Sequence, residues 1–205
     1  MSERGRFIAV EGIDGSGKST QAKRLQEMMV AGGADVVLTR EHTLTGAAGE
    51  TIERVVTKKQ VIHPRALQYM FVADRIDHSE GFIKQALTSG RSVVSDRYYW
   101  STVAYGAAVW DKRKLLDLNL EAGLEEPELW VLVDIDPRVA MVRMAKGRSD
   151  STIFEKEDKL AAARKIYLEL AKEFEERTFV VDGDCKEERI SNLIYEEVAR
   201  RGLVS

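Results

Sequence analysis

Gly12-Ile13-Asp14-Gly15-Ser16-Gly17-Lys18-Ser19-Thr20 constrains this chain more than any other stretch. It has the spacing GxxxxGK[ST], in which glycines let a tight turn aim its backbone N–H groups at phosphate oxygens. Lys18 adds a point charge, and the Ser19 hydroxyl is suited to ligate Mg²⁺. The context fits: the short apolar run Arg6 to Glu11 reads as a buried strand before the turn. Lys18 to Ala31 reads as a helix after it, with Ala22, Leu25, Met28 and Met29 on one face. Such a helix turns its positive end toward the anion. Gly12, Asp14, Gly15, Ser16, Gly17, Lys18, Ser19 and Thr20 are therefore expected to bind a nucleoside triphosphate with Mg²⁺.

The remaining chain alternates strand and helix. Asp35–Thr39, Ser92–Ser95, Leu129–Ile135 and Thr178–Val181 read as further strands. Ala47–Lys58, Pro64–Ser89, Glu155–Arg177 and Glu187–Arg201 read as helices, with another opened by Pro137. Short apolar strands separated by helices predict an α/β fold. The expected form is a P-loop NTPase-type parallel five-stranded sheet, with helices on both faces and a short lid. Residues 1–205 are expected to form a single domain, with a lid segment around 143–155, where Lys146 to Thr152 is polar and poor in helix formers.

Charge and cysteine content exclude several alternatives. The 31 Lys+Arg against 34 Asp+Glu give a net charge of -3, which argues against a nucleic-acid polymer or an anionic membrane as partner. The lone Cys185 rules out an intrachain disulfide and fits a cytoplasmic location. The N-terminal apolar run, Phe7 to Val10, is too short for a signal peptide. No NKxD segment is present, which argues against a GTP-binding switch. A small P-loop protein rich in Arg outside the loop points to a kinase, because transfer between two anions needs cations on both. Asp96 and Arg97 stand where a buried strand ends. Asp96 there either holds magnesium-bound water or accepts the acceptor's proton, and Arg97 is placed to grip an acceptor phosphate; a helix-capping Asp beside a surface Arg fits the same residues.

Further segments follow the phosphate turn in order: Thr39-Arg40-Glu41, Phe71-Val72-Ala73-Asp74-Arg75, Asp96-Arg97-Tyr98, and Ser101-Thr102-Val103-Ala104-Tyr105. Leu132-Val133-Asp134-Ile135-Asp136-Pro137, Tyr167-Leu168-Glu169-Leu170-Ala171 and Val181-Asp182-Gly183 continue the series. Together, across nearly the whole chain, they resemble the thymidylate kinase family. The resemblance implies transfer of the γ-phosphoryl group of ATP to dTMP, with Mg²⁺, in a homodimer formed through helices. It implies that Asp14 receives the acceptor's 3′-hydroxyl and that Arg40 and Arg97 clamp its phosphate. Phe71 would stack on thymine, and Arg75 would donate to a base carbonyl, a contact that cytosine's amino group cannot accept. Tyr105 would crowd the 2′ position, with Ser101 one helical turn before it. Phe71 also fits a packed apolar face with Leu67 and Met70.

The implied catalytic set is Lys18, Asp96, Arg97 and a lid cation, with Ser19 and Asp96 on the metal. Gly15 stands where some family members carry a basic residue in the phosphate turn. The transferring group should then meet a cation from the lid: Arg148 first, Arg143 second, with Lys146 also a candidate. The chain departs from the family pattern at His42, in place of Pro, and at Gly106, in place of Gln. Thr152-Ile153 replaces Asp-Arg, and Trp110 to Glu126 is short. His42 and Gly106 leave open a kinase of another nucleoside monophosphate or of a deoxynucleoside. A non-catalytic nucleotide-binding protein is the remaining alternative.

Overall fold

The computed structural model of the chain describes residues 4–145 and 153–204. β1 (Phe7–Glu11) leads through the phosphate turn into α1 (Lys18–Ala31), and then to β2 (Val36–Arg40). α2 (Gly46–Val56) and α3 (Pro64–His78) follow; a π-helical turn over Ser79–Ile83 joins α3 to α4 (Lys84–Thr88). Next come β3 (Ser92–Asp96), α5 (Tyr99–Gly106), α6 (Lys112–Leu120), β4 (Leu129–Asp134) and α7 (Pro137–Met144). α8 (Ile153–Glu173), a short 3₁₀ turn, β5 (Thr178–Asp182) and α9 (Glu187–Arg200) complete the order.

The five strands form one parallel sheet in the order β2-β3-β1-β4-β5. Both its faces are buried, and the side chains divide by the strand period of two. Phe7 and Ala9 of β1, with Trp130 and Leu132 of β4, face α5 and α8 in one apolar core. Ile8, Val10, Leu129, Val131 and Val133 face α1 and α9 in the other. Among the described residues, no helix is long and apolar enough to cross a membrane.

This layering creates the cleft. α1 leaves β1 toward one face, and α5 leaves β3, the neighbouring strand, toward the other. In open parallel sheets, ligands bind where successive helices part in this way, at the carboxyl ends of the strands.

Two details differ from the sequence expectation. Pro64–Ser89 is not a single α-helix, because the π turn interrupts it. α5 and α6 fill residues to which the pattern assigns no element. α5 buries Tyr99, Trp100, Thr102, Val103, Ala104 and Gly106 and leaves Ser101 and Tyr105 half-buried, so it has no exposed polar face to mark it as amphipathic. α6 is capped by Asp111, whose carboxylate accepts from the Lys114 N–H at 3.0 Å.

Leu132 is 1% exposed in the centre of the sheet. Leu132→Ala should cost about 2–5 kcal/mol of unfolding free energy, read by urea denaturation. A loss below about 1 kcal/mol would contradict this account of the core.

Candidate active site

Gly17 and Gly12 of the phosphate turn are needed for separate reasons. Gly17 has φ 93°, a left-handed conformation that starts α1. At Gly12, φ is 150° and an added Cβ would stand 2.6 Å from the Val133 carbonyl oxygen, so only glycine lets the turn lie against β4. Lys18 is 7% exposed inside the turn, with its Nζ 3.9 Å from Asp14 Oδ1. Burial, reinforced by the nearby Arg97 charge, lowers its ammonium to about 8. Asp96, Asp14 and Glu11 pull the other way.

Arg97 follows the last residue of β3. Its backbone takes a left-handed conformation at φ 74°, and its N–H donates to the Val10 carbonyl at 2.9 Å. A non-glycine residue held there is strained by about 1–3 kcal/mol, a feature that clusters at functional sites. Its guanidinium donates to Asp14 Oδ1, to the Gly12 carbonyl at 3.2 Å and to Ser101 Oγ at 2.8 Å. It also bonds Tyr167 Oη at 3.2 Å. Beneath it lies Glu11, fully buried, whose carboxylate accepts four hydrogen bonds. These come from the N–H groups of Tyr98 at 2.8 Å and Ser101 at 3.1 Å, and from the hydroxyls of Ser101 at 2.6 Å and Tyr167 at 3.1 Å. Burial raises the Glu11 pKa, while Arg97 and these bonds oppose the rise.

The seven residues tied to the acceptor by resemblance all line one cavity of ≈ 430 Å³: Asp14, Arg40, Phe71, Arg75, Arg97, Ser101 and Tyr105. Arg40, at the end of β2, is exposed and has no ion-pair partner among the described residues. Phe71 is half-buried and meets His42 edge-on at 5.9 Å. Arg75 is 2% exposed; Glu41 accepts from its Nε, Asn119 from Nη1 at 2.6 Å and Thr102 from Nη2 at 3.0 Å. Three of its five donors are used, which fixes the plane of the guanidinium and leaves two. Tyr105 accepts from the Asp14 N–H at 2.9 Å, and burial first of all raises its phenol to about 12.

The catalytic and metal candidates divide between described and undescribed residues. Asp96 Oδ1 is buried and has no hydrogen-bond partner among the described residues. Ser19 exposes its side chain at the start of α1. A buried carboxylate oxygen left unpartnered near a phosphate turn is a donor of the hard-oxygen kind that Mg²⁺ takes, and Mg²⁺ needs only one or two such protein ligands beside phosphates. Arg143, at the end of α7, donates to the carbonyls of Ser16 at 3.4 Å and Gly183 at 2.9 Å. Lys146 and Arg148, with the rest of the expected lid from 146 to 152, lie outside the described residues.

Glu11, Glu41, Gln68, Thr102, Asn119 and Tyr167 also belong to the site, beyond the residues to which the sequence points. Glu11 carried a usable signal, since a carboxylate ends an otherwise apolar buried strand. Tyr167 fell on the apolar stripe of α8, which hid the hydroxyl that reaches Glu11.

Phosphate bound beside Lys18 should keep its ammonium charged. Nucleoside triphosphate affinity should thus be flat between a pH of about 7, where the terminal phosphate is ionised, and about 8, and weaken toward tenfold per unit above it. Calorimetric titration across that range checks this, and an affinity without a bend up to a pH of about 9.5 contradicts it.

Comparison with known proteins adds an independent finding. The family model described as "Thymidylate kinase" matches residues 10–194. A "Thymidylate kinase" of Ruegeria pomeroyi is 42% identical over 192 residues, covering 90% of each chain. A "Probable thymidylate kinase" of Thermococcus onnurineus is 41% identical over 184 residues, covering 85% of this chain and 88% of that one. Another, of Methanosarcina acetivorans, is 35% identical over 200 residues, covering 95% and 96%.

Proposed function

The chain belongs to the thymidylate kinase family, whose members are phosphotransferases, and we propose that its cleft transfers the γ-phosphoryl group of ATP to dTMP. One observation carries the assignment of the acceptor site. Residues from the phosphate turn, β2, α3, the end of β3 and α5 line a single cavity, and that cavity adjoins Lys18 through Asp14.

ATP lies with its β- and γ-phosphates in the turn Gly12 to Thr20, against backbone N–H groups and Lys18. Asp96 and Ser19 hold Mg²⁺, whose charge offsets that of the phosphate oxygens when it is bound. The thymine ring stacks on Phe71, with a carbonyl toward the remaining Arg75 donors. Tyr105 faces the 2′ position and Asp14 accepts the 3′-hydroxyl. Arg40 and Arg97 hold the acceptor phosphate, Arg97 having only part of its donor set committed.

The chemistry asks little else of the protein. The acceptor phosphate, with a second pKa of about 6, is largely a dianion at neutral pH and needs no base to attack. An acceptor oxygen attacks the γ-phosphorus, the bond to the β-phosphate oxygen breaks, and ADP leaves. What the cleft supplies is position and positive charge between two anions. Arg148 is proposed to meet the transferring group. Arg143 comes second, its donors being used on Ser16 and Gly183. The homodimer belongs to the same proposal: Tyr69, Ala73 and Ile76 expose one side of α3 for a second copy, and light scattering at the single-chain mass would refute it.

A coupled ADP-release assay over a panel of nucleoside monophosphates and deoxynucleosides tests the acceptor. dTMP should give the highest kcat/KM; turnover of other acceptors without dTMP would overturn the assignment. Arg97→Ala should lower kcat/KM for dTMP by about 10²–10³ with the ATP KM little changed. Arg148→Ala should lower kcat by about 10³ or more, and an unchanged kcat would move that role to Arg143 or Lys146.

A further inference from the structure

α3 turns Gln68, Phe71 and Arg75 toward the acceptor cavity, at i, i+3 and i+7 of one face. The proposed function uses Phe71 and Arg75 and leaves Gln68 unexplained. Its side chain is 6% exposed, yet it is poorly bonded. Its amide nitrogen makes one long bond, 3.4 Å, to the Pro64 carbonyl of its own helix. Its carboxamide oxygen has no partner among the described residues. The oxygen is therefore left to whatever enters the cavity, solvent or a ligand with a donor.

Gly106 makes room for it. A Cβ at that position would stand 2.6 Å from Gln68 Oε1 and 2.9 Å from Leu115 Cδ1. With no side chain on α5 there, the carboxamide of Gln68 lies against α5 at the cavity wall. Gly106 is also one of the two cavity-lining positions at which the chain departs from the family pattern.

The other polar groups around the cavity are donors only or already hold a partner within the protein. Arg40, Arg75 and Arg97 are donors only. Glu41 and Thr102 accept from Arg75, Asp14 accepts from Arg97, and His42 Nε2 bonds Glu53 at 3.0 Å. A thymine edge carries one N–H donor, at N3, between two carbonyl acceptors. Arg75 suits a carbonyl but offers nothing to the N–H.

We propose that Gln68 is a specificity-determining residue for the acceptor base. Its carboxamide oxygen accepts from N3–H and its nitrogen donates to the adjacent carbonyl, while Gly106 keeps the space it needs. This rests on dTMP being the acceptor.

Steady-state kinetics on dTMP and on its N3-methyl analogue, which lacks the donor, provide the test. The wild-type chain should prefer dTMP by about tenfold or more in kcat/KM. Gln68→Leu should raise the dTMP KM about tenfold, leave kcat and the ATP KM within about twofold, and bring the two acceptors close to parity. Gly106→Ala, whose methyl displaces the carboxamide, should shift the dTMP KM in the same direction. Gln68→Met repeats the measurement should the Leu variant fail to fold. A dTMP KM unchanged in the folded variants, or an equal loss on both acceptors, would overturn the role of Gln68 alone. No turnover of dTMP by the wild-type chain would overturn the acceptor assignment, and this role with it.

Discussion

The carboxylate of Glu11 is the contact on which the cleft depends. It lies fully buried at the end of the central strand, where a lone charge would be costly. Four donors from the start of α5 and from α8 surround it, and Arg97 stands over it. One side chain thereby ties β1, α5 and α8 together. Two of those donors are backbone N–H groups at the start of α5; that of Ser101 is shared with the Tyr98 carbonyl at 3.2 Å, and that of Tyr98 goes to Glu11. Satisfying them from β1 fixes how α5 leaves the sheet. The position of α5 then sets where Ser101, Tyr105 and Gly106 meet the cavity.

The same contact orders the charges. Arg97 would otherwise be free to move its guanidinium; here Ser101, Tyr167, Gly12 and Asp14 hold it against the phosphate turn. Arg75 is held in a similar way by Glu41, Asn119 and Thr102. Arg40 alone among the described arginines of the cavity is unpaired and exposed. The cleft thus combines two preorganised cations with one that can adjust, an arrangement suited to holding two anions close together. A net charge of -3 for the whole chain conceals this local balance.

The sequence made the sheet legible because each strand is a short apolar run and the phosphate turn has a spacing that few other structures need. α5 escaped pattern reading because a helix with no exposed face has no solvent-facing polar stripe. Candidate cations and rings were likewise visible as residue types in order, but their supports were not. Glu11, Asn119 and Tyr167 matter through partners 30 or more residues away in the chain, and no local period records such pairs. Gln68 was hidden more deeply still. Its environment depends on the absence of a side chain at Gly106, on a different helix.

Phosphorus NMR of the chain mixed with ATP, Mg²⁺ and dTMP tests the central claim most directly, because it follows the transferred group itself. The γ-phosphate signal of ATP and the dTMP monophosphate signal should be lost, with the paired diphosphate signals of ADP and dTDP growing together. Growth of ADP and free phosphate with dTMP unchanged would contradict it, since the cleft would then pass the phosphoryl group to water rather than to the nucleotide in the acceptor cavity.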